Sequence, residues 1–320
     1  MIDITLLGTG ATLPTPERAL SAAVLRCCGR AILFDCGEGT QIALRRCKIS
    51  PVKIDAIALT HFHGDHIFGL PGLLQTLSCM GREGPLSLIG PAGLVEVAEP
   101  ILDLAGPLSY PVRLYSTDVI CDLGLHEMHP GWPQGASLLP FPTEHRISSQ
   151  GYVFDLTRLP SLDLDFLTAL GIPRSLWKRL QQEDPDRPLT IDGEPLLAAD
   201  GRPLLVRDVH KDCRKGLQVI FTGDTMPCQG LAALAHEPDL LIHDATYARD
   251  EDADAAAKWG HSTFRQAAEL AREVRAKRLW LTHFSQIVEE PEAHLDPAKE
   301  IFPHTECGRD GMSLRLDFAD

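Results

Sequence analysis

The sequence has no C-x-x-C pair, few aromatic residues (6%), no apolar run approaching bilayer length, and no excess of positive charge. Structural zinc sites use close-spaced cysteine pairs, so the nine scattered cysteines do not read as such sites. The adjacent Cys27 and Cys28 are poor disulfide partners, and reduced thiols in a reducing compartment are the simplest reading. With no membrane-length segment and no basic leader in MIDITLLGTG, the expectation is a cytoplasmic protein with no membrane partner. The net charge of −14 excludes nonspecific coating of nucleic acid, which relies on many Lys and Arg contacts to phosphates, but leaves room for a local basic patch.

What is present is the composition of an ordinary globular protein: 320 residues, 44% hydrophobic and 23% charged. That length fits one large α/β unit. Short β-rich apolar runs predict strands at Ile2–Leu7, Ala31–Phe34, Ile54–Leu59, Leu86–Ile89, Gly151–Phe154, Leu217–Phe221, Leu240–Ile242 and Arg278–Leu281. From Thr263 to Arg275, Phe264, Ala267, Ala268, Ala271 and Val274 fall on one face at helical spacing, and Thr263 with Gln266 forms a capping-box pattern. Between about 156 and 216 the periodicity fades and Pro, Gly and Asp become frequent, as in an arm inserted into a single domain spanning 1–320. Within it, Arg174 to Lys215 carries nine basic and eight acidic residues, net +1, leaving −15 for the rest. Such a segment suits a phosphate backbone or a solvated loop equally well. The tetrapeptide Leu-Thr-His-Phe occurs at Leu59–Phe62 and again at Leu281–Phe284, a hint of two related halves.

Thr60-His61-Phe62-His63-Gly64-Asp65-His66 packs three imidazoles and a carboxylate into six positions after a strand. Imidazole suits zinc and a carboxylate adds a hard anionic donor, so zinc or manganese is the expected cation. Gly64 is expected to let the backbone bend so that residues on both sides face inward. Four donors are too few for two metals. His145, Asp224 and His283, each after an apolar run, complete the count, since α/β sheets gather functional groups at the carboxyl ends of strands. His126 and His129 read as a solvated pair, and His243 as a residue able to hydrogen-bond a ligand but not as one.

These residues resemble the metallo-β-lactamase superfamily and, within it, the ribonuclease Z branch that trims the 3′ end of precursor tRNA. The resemblance runs end to end. It takes in Leu7-Gly8-Thr9-Gly10 with Pro14-Thr15, then Phe34-Asp35-Cys36-Gly37-Glu38-Gly39-Thr40-Gln41, then the histidine loop and Gly69-Leu70-Pro71-Gly72-Leu73-Leu74, and later Gly223-Asp224-Thr225, Gly260-His261-Ser262-Thr263 and Leu281-Thr282-His283. HxHxDH alone marks only the superfamily; the GEGTQ, GLPGLL and GHST elements mark the branch. The resemblance implies an α/β fold, the αβ/βα four-layer sandwich with an inserted arm, two Zn2+ per chain (Mn2+ as the alternative), a homodimer, and precursor tRNA as partner. It implies that His61, His63 and His145 hold one ion, that Asp65, His66 and His283 hold the other, that Asp224 bridges them, and that Asp35 orients ligand imidazoles from behind. The arm departs from the pattern: Gly171-Ile172-Pro173-Arg174-Ser175-Leu176-Trp177-Lys178-Arg179-Leu180 has neither the Gly-Pro pair nor the Lys-Gly turn of the branch. Arg174, Lys178 and Arg179 are its candidate substrate contacts.

The expected reaction is phosphodiester hydrolysis by a metal-bound hydroxide, with Asp65 accepting the proton of the nucleophile and His261 protonating the departing 3′-oxygen. A capping role is the bland alternative for His261. Competing readings are a phosphodiesterase of the same fold acting on a small molecule or another RNA, and a noncatalytic RNA-binding relative. Lactamases and thioesterases share the histidine loop but not its flanking motifs.

Overall fold

The computed structural model describes residues 1–117, 122–191, 193–211 and 214–318. Along the chain come β1 (Ile2–Gly8), β2 (Ala22–Cys27), β3 (Arg30–Phe34), β4 (Ile54–Ala58), β5 (Leu86–Gly90) and β6 (Val112–Ser116). Next are β7 (Leu123–Gly124), β8 (Ala136–Pro142) and β9 (Gln150–Leu156), followed by the short hairpin β10 (Thr190–Ile191) and β11 (Glu194–Pro195). The last strands are β12 (Leu217–Phe221), β13 (Leu240–Asp244), β14 (Leu279–Thr282), β15 (Thr305–Cys307) and β16 (Ser313–Leu316).

Strands β4, β5, β12, β13 and β14 are buried at every position. Strands buried along their whole length belong to sheets covered on both faces. They sit in two seven-stranded mixed sheets, ordered β16-β1-β2-β3-β4-β5-β6 and β15-β14-β13-β12-β9-β8-β7. In the first, β16 through β3 pair antiparallel and β3 through β6 parallel. The second repeats that plan, antiparallel from β7 to β12 and parallel from β12 to β15. The two Leu-Thr-His-Phe copies do not follow this repetition. One leaves the second parallel strand of its sheet, β4, and the other leaves the third, β14, so the tetrapeptide is not a mark of equivalent positions.

Helices cover the outer face of each sheet. On the first, Leu70, Leu73, Leu74 and Leu77 of Leu70–Cys79, spaced as one helical stripe, bury against Val24, Leu33, Ile57 and Leu88. On the second, Phe264–Glu273 buries Ala267, Ala268 and Ala271 beside Ile220, Leu241 and Leu279. Thr263 caps that helix, its hydroxyl accepting from Gln266 N while the Gln266 side chain accepts from Thr263 N. The inner faces meet through Phe34, whose ring lies 5.2 Å from Phe221 and 5.8 Å from Tyr152. The Tyr152 hydroxyl donates to Leu59 O (2.6 Å) and Gln150 N to Thr60 O (2.9 Å), fastening the second sheet to the start of the histidine loop. The result is a four-layer α/β sandwich.

Residues Met1–Leu156 and Leu217–Asp317 form one compact unit; Thr157–Gly216 and Phe318 belong to another. The second has its own small core, Leu167, Ile172, Leu180, Leu189, Leu204, Val206 and Val209. These apolar residues are brought together by turns rather than by a regular repeat, which is why periodicity did not reveal them. The sequence also did not predict β2, β6, β8, β15 or β16. β2 opens on Ala22 and Ala23, which are weak strand formers. β6 and β16 are half-exposed edges. β8 holds Pro140 and Pro142, tolerated because β7 pairs only with Ser137 and Leu138.

Phe34→Ala would empty the junction between the sheets. A loss of about 3–5 kcal/mol is expected, read from the denaturant midpoint; a midpoint within error of wild type would contradict this account of the junction.

Candidate metal centre

The predicted metal ligands, with Asp35 and His261, lie at the carboxyl ends of β3, β4, β12 and β14 and in adjoining loops. Asp35 follows β3 with φ +55, a costly conformation for a residue with a Cβ, and is fully buried. Its carboxylate accepts from Thr60 N (2.8 Å) and from the Thr60 hydroxyl, and its Oδ2 accepts from His66 Nδ1 (2.8 Å). The loop is seated closely. A Cβ on Gly37 would lie 2.5 Å from Asp65 O, and one on Gly69 would collide with Gly37 O, so both flanking motifs need glycine for close backbone approach. Gly64 differs from expectation: it opens the helix Gly64–Ile67 without a positive φ, and the space beside it is taken by the Phe68 ring.

Four of the five imidazoles are fixed by a partner behind the ring. The Thr60 hydroxyl, committed as donor to Asp35, accepts from His61 Nδ1 (3.0 Å), which leaves His61 Nε2 a bare lone pair. His66 Nδ1 is held by Asp35 and His145 Nδ1 by Gly260 O (2.7 Å). His283 Nδ1 is held by the Thr246 hydroxyl (2.9 Å), itself a donor to Asp244 Oδ1 (2.7 Å). Four Nε2 atoms therefore point inward. His63 joins them through Nδ1, 3.0 Å from His61 Nε2 and 3.2 Å from His145 Nε2.

Two donor groups result. His61, His63, His145 and Asp224 present atoms within 4.8 Å of one another, and so do Asp65, His66 and His283. Asp224, 2% exposed, faces both: Oδ2 is 3.6 Å from His61 Nε2, and Oδ1 is 3.3 Å from the Nε2 atoms of His66 and His283. Yet Oδ1 has hydrogen-bonding geometry to neither, a buried carboxylate oxygen without a partner. Asp65 Oδ2 lies 3.4 Å from His283 Nε2 and 3.7 Å from His66 Nε2, held by Thr12 N at 2.7 Å. Lone pairs converging on lone pairs repel unless a cation stands between them. The donor set of five imidazoles and two carboxylates fits two zinc-sized cations.

The electrostatics agree. Burial pushes His61 well below the usual imidazole range and lowers His63 and His145, keeping them neutral with lone pairs available. Burial opposes the Asp224 charge, but His283, His66 and His61 hold its carboxyl well below the ordinary value. His66 is also buried, yet Asp224 and Asp35 raise it well above, the mark of a pocket with surplus negative charge.

His261 stands at the edge, 14% exposed at its side chain, with ring centroids 5.1 Å from His145 and 5.3 Å from His283. Its Nδ1 is bound to Asp244 Oδ2 at 2.7 Å. Burial alone would lower its pKa, but the charge of Asp244 and that hydrogen bond push it up to about 9. The helix cap is Thr263, so His261 is free of that duty. Asp224, Asp244, His261 and His283 are also mutually close. However, Asp244 is occupied by Thr225 N, Thr246 N, the Thr246 hydroxyl and His261, which makes it a positioning group for His261 rather than a converging acceptor. The sequence reading missed Asp244; its one signal was a carboxylate closing the apolar strand Leu240–Asp244.

Other histidines part from expectation. His126 and His129 are no solvated pair. His129 is buried and bonded to the Ser87 hydroxyl (2.9 Å), while His126 Nδ1 bonds Trp132 O (2.7 Å), because the short helix Leu125–Met128 turns them to different neighbours. His243 is buried and bonds Asp244 O (2.7 Å), with no hydrogen bond to a ligand side chain. Arg174, Lys178 and Arg179 are exposed on the helix Arg174–Leu180 of the second unit, where Arg174 lies over Trp177 and Arg179 pairs with Glu183.

A family model described as Anti-Pycsar protein Apyc1 matches residues 2–97, and one described as Beta-lactamase superfamily domain matches 209–284. A ribonuclease Z of Clostridium tetani is 38% identical over 321 residues, covering 99% of this chain and 99% of that one. The crystal structure of human tRNase Z, short form, superposes with a TM-score of 0.65 at 30% identity, covering 99% of this chain and all of that one. The metallo-β-lactamase fold protein YhfI from Bacillus subtilis superposes at 0.66 with 17% identity over 98% of both chains, a likeness of fold.

Asp35→Ala would release both Thr60 and His66. Divalent-cation affinity is expected to fall about 10–100-fold, measured by competition against a chromogenic chelator; undiminished affinity would show that the buried carboxylate does not orient the donors.

Proposed function

This chain belongs to the ribonuclease Z family of the metallo-β-lactamase fold, and from that premise we propose that it removes the 3′ trailer from precursor tRNA by hydrolysing one phosphodiester bond. The observation that carries this reading is the pair of donor groups sharing Asp224, with His261, gripped at Nδ1 by Asp244, beside them. His61, His63 and His145 would hold one ion, Asp65, His66 and His283 the other, and Asp224 would bridge them. The preponderance of imidazole favours Zn2+ over Mn2+. Such ions, when bound, lower the pKa of water and neutralise phosphate charge.

The protein's own groups supply the proton transfers. Asp65 is anchored by Thr12 N, which donates to its Oδ2 at 2.7 Å beside His66 and His283. It stands ready to accept the proton of the attacking water as the new P–O bond forms. On the other side, His261 presents Nε2 while Asp244 grips Nδ1, and gives its proton to the 3′-oxygen as the old P–O bond breaks. The products are a 3′-hydroxyl on the tRNA and a 5′-phosphate on the trailer. The exposed cations Arg174, Lys178 and Arg179 would meet tRNA phosphates. Family membership is also the ground for proposing a homodimer and a cytoplasmic location; no helix among the described residues is long and apolar enough to cross a membrane.

The altered stretch Gly171–Leu180 favours, as a second reading, a phosphodiesterase that uses another RNA or a small nucleotide. Incubation with a defined precursor tRNA separates the two: the expected result is one cut at the 3′ end of the acceptor stem, abolished by chelator. An uncut precursor beside a hydrolysed small phosphodiester would favour the alternative.

His261→Ala is expected to slow precursor cleavage by about 10²–10⁴-fold and to spare a nitrophenyl phosphodiester, whose leaving group needs no proton. Equal losses on both substrates would remove the general-acid role. Replacing Arg174, Lys178 and Arg179 together by Ala should raise KM for precursor and flatten its salt dependence, since each lost phosphate contact lowers the slope by about one; an unaltered salt slope would take the arm out of binding.

A further inference from the structure

Trp259 is a large aromatic residue left in solvent. Trp132 and Trp280 are buried and Trp177 is partly so, whereas Trp259 is 45% exposed at the end of the helix Ala253–Trp259. A tryptophan with this much of its surface in water has apolar area available to a partner.

Its surroundings are specific. Gly260, the next residue, has φ +79, and its carbonyl accepts from His145 Nδ1; a Cβ there would lie 2.8 Å from that nitrogen. The chain between Trp259 and His261 therefore runs directly against His145. Arg146, which follows His145, sets its guanidinium 4.6 Å from the indole centroid, and the Lys258 ammonium is 5.6 Å away. Both cations are exposed. An exposed indole flanked by two cations is thus tied through one glycine to the residue assigned to protonate the leaving oxygen.

We propose that Trp259 is a stacking platform for the unpaired nucleobase immediately 5′ of the cleaved bond, with Arg146 binding an adjoining phosphate. This rests on the functional reading above: the nucleotide whose 3′-oxygen takes the His261 proton must lie on the His261 side of the metal centre. Single-stranded bases stack on exposed aromatic rings without regard to sequence. A guanidinium beside such a ring supplies a planar donor for phosphate. The arrangement would recognise an acceptor stem ending in an unpaired nucleotide through its shape, and would position that nucleotide's 3′-oxygen before His261.

The test crosses the protein variant with an altered substrate. Wild type, Trp259→Ala and Trp259→Phe are assayed on precursor RNA carrying either the natural nucleotide or an abasic sugar just 5′ of the cut. Wild type should lose about tenfold in KM on the abasic substrate, in keeping with one base stack. W259A should show about that loss on the intact substrate and no further loss on the abasic one, and W259F should recover most of the difference. If the two losses multiply, or if W259A binds intact precursor as wild type does, the platform is wrong. Should W259A fail to fold, Trp259→Leu, which keeps bulk but no π face, serves in its place with the same expected outcomes. Precursor left uncut by wild type would instead overturn the functional reading itself, a result separable from the others.

Discussion

The site rests on one electrostatic constraint: five imidazole lone pairs and two carboxylates are made to point at one another around the buried His61, His66, Asp224 and His283. Alone, that arrangement is unfavourable, because buried polar atoms without partners cost roughly 1–3 kcal/mol each and like charges repel. It holds because four of the five imidazoles, all but His63, are bonded on the far side to Asp35, to the Thr60 or Thr246 hydroxyl, or to Gly260 O. The outward hydrogen bond fixes the tautomer, and the tautomer fixes the inward lone pair. The partnerless Oδ1 of Asp224 is the clearest sign that this donor set suits a cation.

The scaffold explains how so many donors meet. Two sheets of the same pairing plan face each other across Phe34, Tyr152 and Phe221, so that loops leaving β3 and β4 on one side oppose those leaving β12, β13 and β14 on the other. Rigid strands buried on both faces hold these loop bases, and hydrogen bonds cross the junction at Thr60. The strained φ of Asp35, and that of His283 (+63), lie where the donors turn inward, the usual location of backbone strain.

Much of this was legible in the sequence. The loop His61–His66 was readable because four metal-binding side chains in six positions are hard to explain otherwise, and His145, Asp224 and His283 because each closes an apolar run. The inner parallel strands could be read from their apolar stretches, whereas β6 and β15 at the sheet edges could not. Asp244 could not be assigned a role from its place at a strand end alone, and that role appears only when folding sets it 2.7 Å from His261. Nor could the fates of His126 and His129, which depend on where Ser87 and Trp132 are brought by tertiary packing. Gly64 was assigned a backbone role on composition, whereas what it provides is room for a ring.

The central claim is that Asp224 serves two donor groups at once, and the metal content of single-site variants tests it most directly. Purified wild type should bind two zinc ions per chain; His145→Ala should retain one tightly bound, and Asp224→Ala should lose both. Asp224→Ala holding one ion as firmly as His145→Ala, or wild type binding a single ion, would contradict the shared-carboxylate account.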